Sequence, residues 1–444
     1  MEKWKKEREF SLKISIIEGS ISSISGAILH QGFFLQSFII FIGAPDFWIS
    51  IIPNLQFALS FIGILSAYYL SKYGERKKAG IITNTIYRCI WILPPIALLI
   101  FGKSNITFQV FLITTLISFI AFRLLMVIWM RWMDLLIFEE TRGRYLGIRK
   151  AFTTLFLLVG FLVGGYILKI FKESAKEEWA YIILFTTIAI IGVISSYLYS
   201  YQFDTKTRTL NVKFKEFIKI ILNSIKNNPR LKRIILFFAV FEGVSAIGVP
   251  FIPVQILKNF NLSPEYLSIQ FSIYALSMTI SSYLWGILLD KFGPRSVLQL
   301  STLGLSFTIS LWVLVPKELW FVLSFIEPTI SGIMSGGYES VFMYIILSEV
   351  SLKHKDYFFS LVSTINGFSI LIGSLISMGI IMIFSNLNVF IFYKNFKVYE
   401  LLFLITLIGR ISTSLLFIPP IKFKNKVKNA WDLIKVTFSK IFEA

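Results

Sequence analysis

Residues 286–295 read Gly286-Ile287-Leu288-Leu289-Asp290-Lys291-Phe292-Gly293-Pro294-Arg295, a short charged turn between two long apolar runs. The runs on either side, 266–290 and 295–316, each reach the roughly 20 residues that a helix needs to cross a bilayer core. A turn this tight calls for a residue that tolerates positive φ, hence the glycine. An acid at the end of a span can bond the exposed amides of a neighbouring helix start, where the helix dipole favours negative charge. A weaker copy lies earlier in the chain, with Ala67 for the first glycine, Ser71 for the acid and Glu75 for a basic residue. That copy keeps Lys72, Gly74, Arg76 and Lys77.

Working outward, ten further runs of this kind make twelve: 14–40, 47–71, 79–101, 107–135, 149–171 and 178–201, then 233–257, 266–290, 295–316, 319–348, 358–385 and 398–420. In lipid every backbone polar group must pair internally, so such runs are helices. The first run reads as a span and not as a cleaved signal, because it is long and holds Glu18 and His30. Over 444 residues, 55% are hydrophobic and only 16% charged, where a soluble globular chain carries about 25%. A disordered chain or a soluble enzyme is excluded on that balance. The single cysteine, Cys89, excludes a disulfide framework, and two histidines far apart, His30 and His354, leave no histidine metal site. No phosphate-binding loop or nucleophile motif is present, so neither an enzyme nor a cofactor is expected.

The net charge of +19 is explained by where the charges fall. Twelve spans place 32 of the 44 basic residues on the side of both termini, 8 on the other, and 4 within spans. By the positive-inside rule both termini are cytoplasmic. The basic residues then face the anionic inner leaflet, and no nucleic acid is needed as a partner. The expected organisation is an N-terminal six-helix bundle (1–203), a basic cytoplasmic linker with an amphipathic helix (204–232), a C-terminal six-helix bundle (233–420) and a basic cytoplasmic tail (421–444). The halves echo each other. Glu18-Gly19 in span one matches Glu242-Gly243 in span seven, and the loop glycine follows the glutamate by 56 residues in one half and 51 in the other. Parallel six-span repeats are one of the known transporter architectures.

The turn at 286–295 resembles the G-x-L-a-D-R/K-x-G-R-R/K signature of the major facilitator superfamily, which in that family follows spans two and eight, as here. Glu139-Glu140-Thr141-Arg142-Gly143-Arg144 after span four is similar to the family's R-G loop. The resemblance implies an all-α integral membrane protein of twelve transmembrane helices in two pseudo-symmetric six-helix bundles. It also implies that Gly74, Arg76, Lys77, Arg142, Gly143, Asp290, Gly293, Arg295 and Glu339 form cytoplasmic gate and latch positions. Ser71 cannot supply the acid of the first copy, so that latch is expected to be weaker or to borrow Glu75 or Asp134.

Ionisable residues inside the membrane are costly and mark function. Away from span ends these are Glu18, His30, Arg123, Glu242, Glu327 and Glu339, all on spans one, four, seven and ten, which in the superfamily line the central cavity. Glu18, His30, Arg123, Glu242 and Glu327 are the candidate substrate and coupling residues. A buried carboxylate without a partner takes up a proton, and one beside a guanidinium stays ionised. Glu242 or Glu327 is therefore the expected proton carrier, with Arg123 as counter-ion. Arg131 and Arg410 read as snorkelling or paired with loops, and Trp129, Trp132 and Trp285 as packing residues. Three carboxylates and one arginine lean against a strongly anionic substrate.

The expected function is secondary active transport of a small organic solute by alternating access, coupled to protons, by a monomer that crosses the cell membrane many times. Two other readings share the fold: an exporter of amphipathic or toxic compounds, and a non-transporting receptor or scaffold. Span five lacks a glycine-proline motif, which weighs against the efflux subclass.

Overall fold

The apolar runs fold into helices whose buried faces recur at helical spacing. In Glu177–Ser200, for example, Tyr181, Leu184, Phe185, Ile188, Ser195 and Tyr199 are buried, while Ile190, Val193 and Tyr197 are exposed. Large apolar side chains exposed along the spans, such as Tyr283, Ile383 and Leu416, form the surface that faces lipid. The computed structural model describes residues 2–418 apart from 31–32, 46, 138–141, 205–213, 217–218, 220–228, 263, 350–354, 385–387 and 392–393. The basic tail and most of the linker, with its expected amphipathic helix, lie outside the described residues.

The first half contains α1 (Glu2–His30), α2 (Phe33–Ile42), α3 (Phe47–Ala58), α4 (Ile62–Tyr73), α5 (Arg76–Cys89), α6 (Leu93–Phe101), α7 (Asn105–Leu136), α8 (Arg142–Glu173) and α9 (Glu177–Ser200). The second contains α10 (Pro229–Gly248), α11 (Pro264–Phe292), α12 (Pro294–Leu314), α13 (Glu327–Glu349), α14 (Lys355–Phe384) and α15 (Val398–Phe417). A two-stranded antiparallel hairpin, β1 (Asn388–Ile391) with β2 (Lys394–Lys397), joins the last two helices, with Asn388 opposite Lys397.

Ten helices among the described residues are long and apolar enough to cross a membrane. The other two of the twelve expected spans differ for identifiable reasons. Span two is broken by a 3₁₀ turn at Leu59–Phe61, and its apolar stretch is the shorter Asn54–Leu70. Span ten carries Glu327 and Glu339 together with Gly332, Gly336 and Gly337, which dilute its hydropathy. Span three bends at a 3₁₀ turn, Ile90–Ile92, followed by Pro94 and Pro95, which lack the N–H that a regular helix uses. The protein is a multi-pass, helical membrane protein.

The two halves repeat one packing scheme. In the first, span one (α1) packs on spans five and six (α8, α9), and span three (α5) on spans four and six (α7, α9). In the second, span seven (α10) packs on spans eleven and twelve (α14, α15), and span nine (α12) on spans ten and twelve (α13, α15). By compactness the chain forms two units, Met1–Lys219 with Ile256–Ser272, and Ile220–Gln255 with Ile273–Ala444. The start of α11 is drawn into the first unit by Lys169 Nζ, 2.8 Å from Glu265 Oε2, and by Phe271 stacked on Phe33 at 5.2 Å between ring centres.

The core of the first unit includes the rings of Phe38, Trp91, Phe111, Tyr181 and Phe185, with Trp91 Nε1 donating to Ser118 Oγ at 2.8 Å. Phe237, Phe238, Phe241, Trp285, Val297 and Val341 form the core of the second. Small residues set the closest helix approaches. A Cβ at Gly160 of α8 would lie 2.8 Å from Ala27 Cβ and 3.1 Å from the Ile24 backbone of α1, whereas one at Gly379 meets nothing within 4 Å. Gly160→Leu is therefore expected to cost about 1–3 kcal/mol of stability. Its unfolding midpoint in detergent should fall, and that of Gly379→Leu should not. Equal midpoints would disprove the close α1–α8 approach.

Candidate functional site

In the second unit, α10 presents Glu242 beside Gly243. The missing side chain at Gly243 lets α14 close in, with Ser369 O 3.0 Å from where a Cβ would stand. Glu242 is half-buried, and Tyr338 of α13 donates its hydroxyl to Glu242 Oε1 at 2.7 Å. Arg410 of α15 lies behind. Its Nε donates to Ser245 Oγ at 2.9 Å, its Nη1 donates to Leu305 O at 2.8 Å, and its guanidinium stands over the Phe241 ring at 5.4 Å. Arg410 is buried and its charge acts on both Glu242 and Glu327. It neither snorkels nor pairs with a loop, contrary to the sequence reading. The cause is Ser245, one turn from Phe241, which gives the guanidinium an acceptor inside the bundle.

Glu327 is buried and opens α13 directly after a π-helical turn, Val322–Ile326, with Pro328 following. Such turns are rare and occur often at functional sites. Further along α13, Glu339 is exposed, and its charge acts on Tyr274 and Tyr338.

In the first unit, Glu18 is 2% exposed and accepts from Ser22 Oγ at 2.5 Å and Ser195 Oγ at 2.6 Å. Ser195 also accepts from Arg88 Nη1 at 3.4 Å. Arg88 donates further to Ser25 Oγ at 3.1 Å and to Asn84 Oδ1. A buried carboxylate and a buried guanidinium thus share one serine across α1, α5 and α9. The sequence reading did not single out Arg88. The signal for it was present: an arginine within an apolar run that has an acid at matching depth in a neighbouring span. Gly192 makes the contact possible, since a Cβ there would lie 2.6 Å from Arg88 Cβ.

Arg123 donates its Nε to Gln56 O and stands over the rings of Phe57 (5.3 Å) and Phe122 (5.7 Å). It forms no ion pair among the described residues, and it lies in the first unit while Glu242 and Glu327 lie in the second. The side chains of His30, Asp134, Arg142 and Asp290 lie outside the described residues; Gly143 sits in the first turn of α8.

The loop glycines behave as the turn requires. Gly74 ends α4 at φ +69°, and Gly293 separates α11 from α12 at φ +85°. The first loop does find an acid that the sequence reading did not name. Asp204, just past α9, accepts from Arg76 Nη1 at 3.3 Å and from the Lys77 backbone N–H at 3.2 Å. It pairs with a nearly inaccessible arginine and caps the start of α5 together. The same segment is held by Trp132 Nε1, which donates to Phe203 O at 2.8 Å, and by Ser11 Oγ, which accepts from Phe203 N at 2.7 Å. Sequence separation hid this partner, 128 residues from Arg76. Arg295 belongs to the second loop, and its Nε has no acceptor among the described residues.

Comparison with known proteins places this geometry in a class. Residues 239–443 match the family model of the Major Facilitator Superfamily. Among solved structures, a point mutant of the nucleoside transporter NupG aligns over 93% of this chain and all of its own, at TM-score 0.69 and 16% identity. A D-xylose–proton symporter aligns over 93% and 98% at TM-score 0.62 and 15% identity. The xylose transporter XylE from E. coli, in a partially occluded inward-open conformation, aligns over 92% and 97% at TM-score 0.63 and 13% identity. No curated protein matches by sequence. The whole chain has the major facilitator fold, and its second half carries that superfamily's sequence pattern.

The Asp204 contact gives a direct expectation. Asp204→Asn removes the carboxylate charge 3.3 Å from the Arg76 guanidinium, which is 2% exposed, and should cost about 1–3 kcal/mol. Thermal unfolding in detergent reads it; a midpoint equal to that of the unmodified protein would show that Asp204 holds nothing there.

Proposed function

We propose that this protein is a secondary active transporter that moves a small organic solute across the cell membrane by alternating access, driven by protons, with Glu242 as the proton carrier. The reading rests on one observation above the rest: a membrane-embedded carboxylate bonded by Tyr338 Oη and acted on by a buried guanidinium, on a fold shared with solute transporters. Two of the proteins with this fold are a nucleoside transporter and a D-xylose–proton symporter, which supports a small polar solute and a proton.

The geometry says how a proton would be felt. Ionised, Glu242 accepts the Tyr338 hydroxyl and balances Arg410. Once protonated it is a weaker acceptor and carries no charge. Arg410 is then left to Ser245 and Leu305 O, and α10, α13 and α15 lose the electrostatic tie between them. Arg410 replaces Arg123 in the counter-ion role, because it is the arginine whose charge acts on both Glu242 and Glu327. Glu327, at the π turn beside Pro328, is the second carboxylate able to respond. Glu18 has a different part: buried and doubly bonded by serines, it holds the first bundle together. The protein acts as a monomer in this reading, with the solute, protons and anionic lipid as its partners and no cofactor.

Intraliposomal pH is the decisive measurement. Protein reconstituted with a trapped pH dye is challenged with sugars, nucleosides, amino acids and organic acids under an imposed pH gradient. One class should evoke proton movement. Glu242→Gln should abolish gradient-driven uptake while leaving solute exchange in place, and Tyr338→Phe should slow the driven mode. Driven uptake that survives in both Glu242→Gln and Glu327→Gln would exclude the coupling assignment.

A further inference from the structure

Arg149 sits one residue into the membrane-spanning part of α8, Ile148–Glu173, and by sequence it counts as one more basic residue after span four. Its side chain does not turn back to the aqueous surface. The guanidinium reaches the level of Gly19, where a Cβ would stand 2.6 Å from Arg149 Nη2. Gly19 lies near the middle of the apolar segment Lys6–Leu29 of α1. The guanidinium also lies over the Trp129 ring of α7, at 4.3 Å from its centre.

What this corner lacks is an acceptor. Arg149 Nε is buried with no hydrogen-bond partner, and so is Trp129 Nε1. The two orphan N–H groups are neighbours, one on each side of the same cation–π contact. No carboxylate among the described residues pairs with Arg149. Glu18, next to Gly19, has its oxygen bonded to Ser22 and Ser195 on the α9 side. A single buried donor without an acceptor costs about 1–3 kcal/mol, and native interiors rarely hold one. Two together, one of them charged, describe a site built of donors that is completed by oxygen from elsewhere. A guanidinium lying over an indole is also held in place, and its planar fork suits oxyanion recognition.

We infer that Arg149 and Trp129 bind an oxyanion of the transported solute, a carboxylate or a phosphate. This rests on the transport reading above and narrows its substrate class. It also reverses the sequence-level leaning against anions. That leaning weighed three carboxylates against Arg123 alone. In the structure Glu18 and Glu242 are engaged within their own bundles, while Arg149 adds a second guanidinium without an ion pair among the described residues. Gly19 becomes a specificity position: it leaves the space into which the guanidinium rises.

The test uses full-length purified protein in detergent, with benzoate, succinate and inorganic phosphate as probes and benzamide as the neutral control. Thermal stabilisation and tryptophan fluorescence report binding. At least one anion should bind and benzamide should not. Arg149→Gln should weaken that binding about tenfold or more, the loss expected for one charge-assisted hydrogen bond. Trp129→Phe keeps an aromatic ring beside the guanidinium but removes the N–H with the pyrrole part of the indole, and should weaken it by a smaller factor. It decides the matter if Arg149→Gln does not fold. Anion binding that is unchanged in Trp129→Phe and Arg149→Gln, or no binding by any of the three anions, overturns the inference. Stabilisation by phosphatidylglycerol nanodiscs that needs Arg149, without any effect of the soluble anions, assigns the site to a lipid headgroup and also overturns it. If an anion binds through Arg149 yet only a neutral solute is carried into proteoliposomes, the substrate-class inference is overturned and the transport reading stands; if no solute of any class is carried, the transport reading fails as well.

Discussion

A charge taken out of water needs its partner inside the protein, because the effective cost of an unpaired buried ion is several kcal/mol. Each half of this chain meets that constraint in the same place. The first helix of the half carries a glutamate followed by glycine, and a guanidinium from elsewhere in the half is tied to the same helix by a serine. In the first half these are Glu18, Arg88 and the serines at 25 and 195; in the second they are Glu242, Arg410 and Ser245. The glycine after each glutamate has a separate use. Gly19 leaves room for Arg149, and Gly243 lets the Ser369 backbone approach. Helix packing and charge pairing are therefore one problem here, since the pairs form only where small residues let the helices close.

The two copies differ in what surrounds the glutamate. Glu18 is almost inaccessible and accepts from two serine hydroxyls, Ser22 on its own helix and Ser195 on α9. Glu242 is half-buried and takes its bond from a tyrosine on another helix, with the guanidinium at one remove. A carboxylate of the first kind is a rivet. One of the second kind has a neighbour that can leave. The same Glu-Gly pair occurs in both halves, and the surroundings of the two glutamates differ.

Much of the fold was legible because the bilayer simplifies the code. Apolar runs of bilayer length and the charged turn after the eighth were enough to read an all-helical, multi-pass chain. The site was only half legible. Intramembrane acids stand out against apolar neighbours, so Glu18, Glu242 and Glu327 were visible. Their partners were not. Arg88 was counted only as a basic residue within a span, Arg410 read as snorkelling or paired with a loop, Arg149 as a loop residue, and Asp204 as the start of a linker. Arginine stems are long enough to carry the charge several residues away from its sequence position, so hydropathy places the backbone and misplaces the group. Asp204 was hidden differently: its contact joins the end of the first half to its second turn, a pairing no local pattern records.

The π turns carry a consequence for how side chains are aimed. At Val322–Ile326 and again at Gln255–Asn259 the backbone winds more loosely than in an α-helix, each turn taking in an extra residue. Everything beyond such a turn is rotated about the helix axis relative to what lies before it. Glu327 begins the regular helix just past one of them, so its direction is set by the loose turn and not by the register of residues 319–321. A wheel drawn through the whole of span ten would assign it to the wrong face. The loose turn also works as an angular offset that could be wound back: were Val322–Ile326 to tighten into α geometry, Glu327 would swing around the axis without any change elsewhere in its rotamer.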